Sequence, residues 1–253
     1  MHIENNILKH YLRNCYFITG TAYAGKSTMC AMLAERYGMV HYSENYGIHE
    51  MRAVADPVLQ PNLCYTQQMP SWEAFVTRTP EEYNAWIEGS AREVSQFQVL
   101  ELIKMSATGK KIIVDTNLSW EQLREVSDYD HVAVMLAPQE ITVERFFDRS
   151  DEDKQFLLSV IDGCPDPQWA EDNFRACIAK VNRPEIYENA ATYMLLKDYV
   201  VYAFTGIKNS PSARRTDKAR ENNRIFFIFL PQYRNTGLVP ADKFVYNIAD
   251  YIS

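Results

Sequence analysis

One short stretch of the chain has residue types and a spacing suited to holding a phosphate group. Residues 20–28 read GTAYAGKST, which fits the pattern G-x-x-x-x-G-K-[ST] through Gly20, Gly25, Lys26 and Ser27. In such a loop the backbone N–H groups, here those of residues 22–27, surround phosphate oxygens, while the lysine reaches the outer phosphates and the hydroxyl binds Mg²⁺. The alternative is a simple glycine turn followed by a solvated lysine.

The residues on either side of this stretch favour the phosphate-binding interpretation. The apolar and β-branched run 15–19 predicts a buried strand that ends at a glycine. From Lys26 onward, apolar residues recur every three or four positions up to Tyr37, and Gly38 is a stop signal, which together predict a helix. Strand, glycine-rich turn and helix therefore follow in the order that a phosphate loop requires.

The remaining pattern alternates strands with helices, which favours a parallel sheet covered by helices on both faces. Active groups are then expected after residues 19, 42 and 114, where strands end. The other predicted strands are 39–42, 110–115, 131–137 and 225–230, and the other predicted helices are short ones within 46–80, followed by 80–107, 120–126, 139–149, 152–162, 168–189 and one from about 241.

Composition limits the class of protein. The chain has 253 residues, 47% of them apolar, which fits a single large α/β domain spanning residues 1–253. The formal charge of −7 argues against nucleic acid as a partner. The five cysteines have no zinc-site spacing and are expected to be reduced core thiols. Neither a signal-peptide core nor a run of membrane-spanning length is visible, so the expectation is a cytoplasmic protein without a membrane partner.

The phosphate loop, Asp115 at the end of a strand and the arginines of residues 143–149 together resemble the nucleoside, nucleotide and shikimate kinase superfamily. More narrowly, residues 42–44, 55–57, 71–75 and 164–167 are similar to uncharacterised bacterial P-loop proteins of nucleotide kinase type. The resemblance implies a P-loop NTPase fold of class α/β, with a five-stranded parallel sheet in the order 2-3-1-4-5 and a helical lid. It places the lid and a helical insertion at about 139–189, and a basic loop insertion at about 207–224.

With the resemblance, the predicted cofactors are ATP and Mg²⁺. Lys26, Asp115, Arg145 and Arg149 are the candidate catalytic residues, and Ser27 and Asp115 the candidate magnesium ligands. The alternative for Asp115 is that it caps a turn. The alternative for the two arginines is that they form surface salt bridges with Glu144 and Asp148. The candidate nucleotide-binding residues are Gly20, Thr21, Ala22, Tyr23, Ala24, Gly25, Lys26, Ser27 and Thr28.

Three further residues are candidates for binding the phosphate acceptor. Glu44 follows the second strand, where a carboxylate can take a hydroxyl proton, although a plain surface carboxylate is the alternative. Arg52 and Arg78 are expected to bind a phosphate if the acceptor carries one, and to be solvated if it does not. Tyr42, Tyr46 and Trp72 are either core residues or rings that stack on a base.

The sequence departs from the motifs that would name an acceptor. Asp115 is followed by Thr116 and Asn117 rather than by glycine, and no Gly-Gly-Gly or Glu-Arg-Ser element occurs. The leading hypothesis is phosphoryl transfer from ATP to a small-molecule acceptor, with a nucleoside or nucleotide among the candidates. A nucleotide-binding switch with little transferase activity is the alternative, and the oligomeric state is left open. Residues 208–224 hold six basic and two acidic side chains, as in a solvated loop or an anion-binding flap.

Overall fold

The fold is built on one parallel β-sheet. The computed structural model describes residues 3–128, 131–137, 139–148 and 151–182, together with the backbone of two short strands farther along the chain. Neighbouring strands are all parallel, in the order β2-β3-β1-β4-β6-β5. The described strands are β1 (Cys15–Gly20), β2 (Val40–Tyr42), β3 (Ile112–Asp115), β4 (Val132–Leu136), β5 (Thr192–Met194) and β6 (Phe226–Phe229).

The predicted α/β class and the order of the five predicted strands are confirmed, because β6 is the fifth strand of the sequence prediction. The predicted strand number was wrong, since the described sheet has six strands. The additional strand, β5, has three residues and pairs only with β6 at the edge of the sheet. No strand was predicted at these residues.

Apart from the first helix, Asn5–Tyr11, which was not predicted, the described helices lie close to their predicted positions. The described helix α10 stops at Val181 rather than continuing to 189, because Asn182 caps it and Pro184 follows two residues later. The predicted C-terminal helix from about 241 lies outside the described residues. The described helices are α1 (Asn5–Tyr11), α2 (Lys26–Tyr37), α3 (Ile48–Val54), α4 (Tyr65–Gln68), α5 (Trp72–Val76), α6 (Pro80–Ser106), α7 (Trp120–Val126), α8 (Gln139–Phe147), α9 (Glu152–Asp162) and α10 (Pro167–Val181).

Helix α6 begins with strong start signals and has 27 residues. The Thr79 hydroxyl accepts from the backbone N–H of Glu82, the Glu82 carboxylate accepts from that of Thr79, and Pro80 occupies the first turn. A helix of this length is about 40 Å long. It therefore passes from the sheet to the helices beyond the carboxyl ends of the strands.

Two hydrophobic cores hold the structure together. The first lies against the sheet and includes Phe17, Leu102, Val114 and Leu123. The second, here called the aromatic cluster, packs α5, α6, α8, α9 and α10 together around Phe75, Tyr83, Trp86, Phe146 and Phe174. All five cysteines are buried free thiols. No helix in the described part of the chain is both long and apolar enough to cross a bilayer.

The chain leaves β1 at a point where only glycine fits. Gly20 has φ +132°, and a Cβ atom built there would lie 1.9 Å from the backbone oxygen of Met135 on β4. The close approach of β1 and β4 therefore excludes every side chain at this position, whatever its rotamer. Gly38, at the end of α2, also has a positive φ, of 61°, but nothing lies within 4 Å of a Cβ there.

We expect Gly20→Ala to lower the free energy of unfolding by about 3 kcal/mol or more, because the methyl group overlaps backbone that cannot move without breaking the sheet. The matched change Gly38→Ala should lower it by only about 1–2 kcal/mol, the usual cost of a left-handed alanine. Chemical denaturation of both variants measures the difference. Equal losses would contradict the proposed steric cause.

Candidate functional site

The phosphate loop lies at the carboxyl edge of the sheet, directly after β1, which pairs with β3 and β4. The Thr21 N–H donates to the Met135 backbone oxygen at 3.1 Å, and the Thr21 hydroxyl accepts from the Ala137 N–H at 2.8 Å. The loop is thus fixed to the end of β4. Tyr23 has φ 59°, the only positive φ of a non-glycine residue in the described chain. A tyrosine in this conformation is strained, so its surroundings must hold it there.

Lys26 and Arg145 both donate to carbonyl groups of the loop. Lys26 is 7% exposed, and its Nζ donates to the backbone oxygen of Thr21 at 3.1 Å. The Arg145 Nη1 on α8 donates to the backbone oxygen of Tyr23 at 2.8 Å. The structure therefore places both of these candidate catalytic cations at the loop. Arg149, the other arginine of the predicted pair, lies outside the described residues.

Asp115 ends β3 directly beside the start of α2. The Ser27 hydroxyl donates to Asp115 Oδ2 at 2.6 Å, while Oδ1 is buried and has no hydrogen-bond partner. Burial raises the pKa of the Asp115 carboxyl, and the Ser27 hydrogen bond and the charge of Lys26 only partly oppose that rise. An oxygen left unsatisfied beside a serine hydroxyl suits a hard cation such as Mg²⁺, so these residues fit the predicted metal.

Glu44 lies near Asp115, at the end of the neighbouring strand. Its Oε1 accepts from the Asn117 amide at 2.9 Å, and its negative charge adds to the rise in the Asp115 pKa. His41, on the same strand, has an opposite and smaller effect, and its Nε2 is buried without a partner. The carboxyl ends of β2 and β3 thus bring two carboxylates into electrostatic contact, which favours a bound cation between or beside them.

Helix α6 holds these two strand ends in place. Its Gln98 Oε1 accepts from the Thr116 hydroxyl at 2.7 Å, and its Glu101 Oε2 accepts from the Tyr42 hydroxyl at 2.6 Å. Burial and Glu101 raise the pKa of Tyr42. Tyr42 is therefore a core residue, and of the three aromatic candidates only Tyr46 and Trp72 are exposed.

Helix α10 supports the phosphate loop from the other side. The Asn182 Oδ1 accepts from the Ala22 N–H at 2.9 Å, and the Asn182 amide donates to the Ile178 backbone oxygen at 2.9 Å, which fixes its orientation. Asn182 is buried. Because the Ala22 N–H is taken by Asn182, the N–H groups of residues 23–27 are the ones left for a phosphate.

The two acceptor-side arginines are not simply solvated. Arg52, on α3, is half-buried, and its Nε has no partner. Arg78 is 9% exposed, and its guanidinium carbon lies 3.8 Å from the ring centroid of Tyr65. His49 is exposed on α3. The basic segment 208–224 lies outside the described residues.

Several residues of the site were missed in the sequence. Asn117, Thr116 and His41 adjoin strand ends that had been identified, so the rule that active groups follow parallel strands was enough to include them. No sequence signal marks Asn182, which lies 160 positions beyond Ala22 and meets it only through the packing of α10. Gln98 and Glu101 likewise appear as ordinary polar residues of a long helix.

We expect Asp115→Asn to raise the melting temperature of the nucleotide-free protein at pH 7. The folded protein binds the Asp115 proton more tightly than the unfolded chain does, so the contribution of this group to stability falls as pH rises through the raised pKa. Asparagine has no titrating carboxyl group, so the variant does not lose stability in this way as the pH rises. Its advantage should shrink as the pH falls to about 3, below the ordinary aspartate pKa, where the carboxyl group is mostly protonated in both states. Thermal unfolding at both pH values tests this, and a variant that melts below the native protein at pH 7 would disprove it.

We expect Asn182→Ala to weaken binding of a Mg²⁺-bound ATP analogue by about tenfold, because the Ala22 N–H loses its buried partner and the loop its support. Asn173→Ala is the matched control. The Asn173 amide also donates from α10, at 2.7 Å to the backbone oxygen of Arg78, but does not touch the loop. Calorimetric titration should show near-normal affinity for the control at a similar loss of stability. Equal affinities in the two variants would remove Asn182 from the site.

Comparison with known proteins supports the interpretation of the loop. A family model described as an AAA domain matches residues 17–176 and so covers most of β1, the phosphate loop, strands β2 to β4, helices α2 to α9 and the first part of α10. No curated protein matches the chain. Since the match spans more than half of the sequence, the chain belongs to this AAA domain family, a P-loop NTPase-like family whose members include kinases.

Proposed function

We propose that the protein is a phosphotransferase that moves a phosphoryl group from ATP to a small-molecule acceptor. The observation that carries the proposal is the surroundings of Asp115: the Ser27 hydroxyl donates to one of its oxygens, the other oxygen is buried without a partner, and the charge of Glu44 is close enough to raise its pKa. A protein that only bound a nucleotide would need the loop, Ser27 and a metal-binding carboxylate. It would not need a second carboxylate, Glu44, near that carboxylate.

The nucleotide half of the site is formed by the loop. The N–H groups of residues 23–27 bind phosphate oxygens at the positive end of α2, and Lys26 moves from the Thr21 carbonyl to the outer phosphates. Ser27 and Asp115 would hold Mg²⁺, which would supply positive charge to neutralise the phosphates. Burial of Asp115 and Lys26 keeps the surrounding dielectric low, so each of these charges acts strongly.

The acceptor half begins at Glu44. The Asn117 amide holds one of its carboxylate oxygens at 2.9 Å and leaves the other available to a hydroxyl group. An acceptor hydroxyl that donates to Glu44 is aligned for attack and can pass its proton to the carboxylate. Glu44 is exposed, so an acceptor reaches it without opening the core.

Arg145 is the candidate for stabilising the phosphoryl group in the transition state of transfer. Its hydrogen bond to the Tyr23 carbonyl uses one of five donors and anchors the guanidinium at the loop. The remaining donors suit phosphate oxygens, on which charge develops during transfer. Arg149 stays a prediction in the same role.

A screen of acceptors tests the proposal. ADP release from ATP is measured with nucleosides, nucleotides and small hydroxylated metabolites, using the native protein and Lys26→Ala in parallel. We expect at least one acceptor to raise ADP release, and Lys26→Ala to lower that rate by at least about a hundredfold, because it removes the cation nearest the outer phosphates. Thermal unfolding verifies that the variant is folded.

The parallel variant separates this protein from a contaminating kinase, whose activity would not respond to Lys26→Ala. Binding of ATP without any acceptor-dependent release would contradict the proposal. It would favour instead a nucleotide-dependent switch that signals to a partner.

A further inference from the structure

The short loop that carries Glu44 is held at both of its ends by one side chain, Glu101 of α6. This loop, residues 43–46, is called the Glu44 loop below, and it connects Tyr42 of β2 to Gly47, the residue before α3. Glu101 Oε2 accepts from the Tyr42 hydroxyl at 2.6 Å. Its Oε1 lies against Gly47, since a Cβ atom built there would be 2.8 Å from that oxygen. One carboxylate thus contacts the residues on either side of the loop.

The contact between Tyr42 and Glu101 fixes the first end of the Glu44 loop. Tyr42 is 1% exposed, and burial together with Glu101 raises the pKa of its phenol, so the hydroxyl remains a donor. A short hydrogen bond to a carboxylate is stronger than one between neutral groups. The Tyr42 ring also lies 4.6 Å from the ring of Tyr46, the last residue of the loop. Tyr42 therefore transmits its fixed position to both ends of the loop.

Gly47 permits the close approach of Glu101 at the second end. Its φ is 66°, in the left-handed region that favours glycine, and a side chain there would have to displace the Glu101 carboxylate. Within the loop, the Tyr46 N–H donates to the Ser43 backbone oxygen at 3.0 Å. The loop is therefore a compact turn with fixed ends, which limits the directions in which Glu44 can point.

The same face of α6 also sets the partner of Glu44. The Asn117 amide donates to Glu44 at 2.9 Å, and the hydroxyl of the preceding residue, Thr116, donates to Gln98 at 2.7 Å. Gln98 and Glu101 are three residues apart, so they lie on one face of the helix. One turn of α6 thus positions both Glu44 and the amide that binds it.

A second carboxylate of α6 anchors a different loop and shows the same device without a candidate reactive group. Glu93 is 8% exposed and accepts from the Asn62 amide at 2.6 Å and from the Leu63 N–H at 2.7 Å. It lies eight residues before Glu101 on the same helix and has no printed contact with the Glu44 loop. Glu93 is therefore the matched control for Glu101.

We propose that Glu101 is a positioning residue that sets the Glu44 carboxylate for removal of the acceptor's hydroxyl proton; this rests on the phosphotransferase function proposed above. Glu101 acts through Tyr42 and Gly47 and does not itself contact the acceptor. A general base must lie within hydrogen-bond distance of the proton that it takes, so a loosened Glu44 loop would slow proton transfer. Binding of the nucleotide at residues 20–28 would be unaffected.

The side-chain amide of Asn117 reports the position of Glu44 without any acceptor. Its nitrogen and proton resonances are recorded by NMR in the native protein, Glu101→Ala, Glu93→Ala and Glu44→Ala, and Asn117→Asp assigns them by removing the signal. Glu44→Ala gives the position of the signal when the hydrogen bond is absent. We expect Glu101→Ala to move the signal most of the way to that position, and Glu93→Ala to leave it at the native position at a similar loss of stability.

Two further variants keep the test decisive. If Glu101→Ala does not fold, Tyr42→Phe replaces it, because it deletes only the hydroxyl that Glu101 binds, and the same change of the Asn117 signal is expected. Glu101→Gln should retain the native signal, since an amide oxygen can still accept from Tyr42. A native Asn117 signal in Glu101→Ala, or an equal displacement in Glu93→Ala, would overturn the proposal.

Kinetics separate failure of this proposal from failure of the proposed function. For an acceptor found in the screen, Glu101→Ala should lower kcat/KM for that acceptor by at least about tenfold, because the base is misplaced. Affinity for a Mg²⁺-bound ATP analogue should equal that of Glu93→Ala. A displaced Asn117 signal without transfer to any acceptor supports positioning of Glu44 by Glu101 and contradicts the transferase. Transfer that is equally fast in Glu101→Ala and Glu93→Ala supports the transferase and contradicts the positioning role.

Discussion

The structure depends on the close parallel pairing of β1 with β3 and β4. Strand β1 lies between β3 and β4, and the chain continues from its carboxyl end into the phosphate loop. The close approach of Gly20 to the Met135 backbone restricts the path that the chain can take there. The same pairing sets Asp115 opposite Ile18, close enough for the first turn of α2 to reach it. The phosphate loop, its lysine and its carboxylate are consequences of one strand arrangement.

Several groups with unfavourable electrostatics lie in or near the candidate site of the described chain. Lys26, Asp115 and Arg78 are all nearly or fully buried, Asp115 and Arg78 each have an unsatisfied atom, and Tyr23 is held in a strained conformation. Such features reduce stability and are typical of sites whose partners arrive with a ligand. Two aromatic and aliphatic cores, which are well packed and lie on either side, supply the stability that these groups reduce.

The sequence was most informative where a structural rule acts locally. The phosphate loop, the ends of α2 and the cap of α6 depend on residues a few positions apart, and all were predicted correctly. Contacts between distant segments could not be predicted in this way. Asn182 meets Ala22 because α10 packs on α6 and α8, and no feature of residues near 182 carries that information. From the sequence, Arg78 was expected either to bind a phosphate or to be solvated. The positions of Tyr65, Phe75 and Trp86 around its guanidinium show that it is not solvated.

The length of α6 has a mechanical consequence. Its Gln98 accepts a hydrogen bond from Thr116 at the end of β3, while the ring centroid of Trp86, twelve residues earlier, lies 5.2 Å from the guanidinium carbon of Arg78. Twelve residues of helix form a lever arm of about 18 Å, so a tilt of about 5° at Gln98 would move Trp86 by about 1.6 Å. A displacement of that size is enough to break a hydrogen bond. Small adjustments at the strand ends are therefore magnified at the far end of this helix.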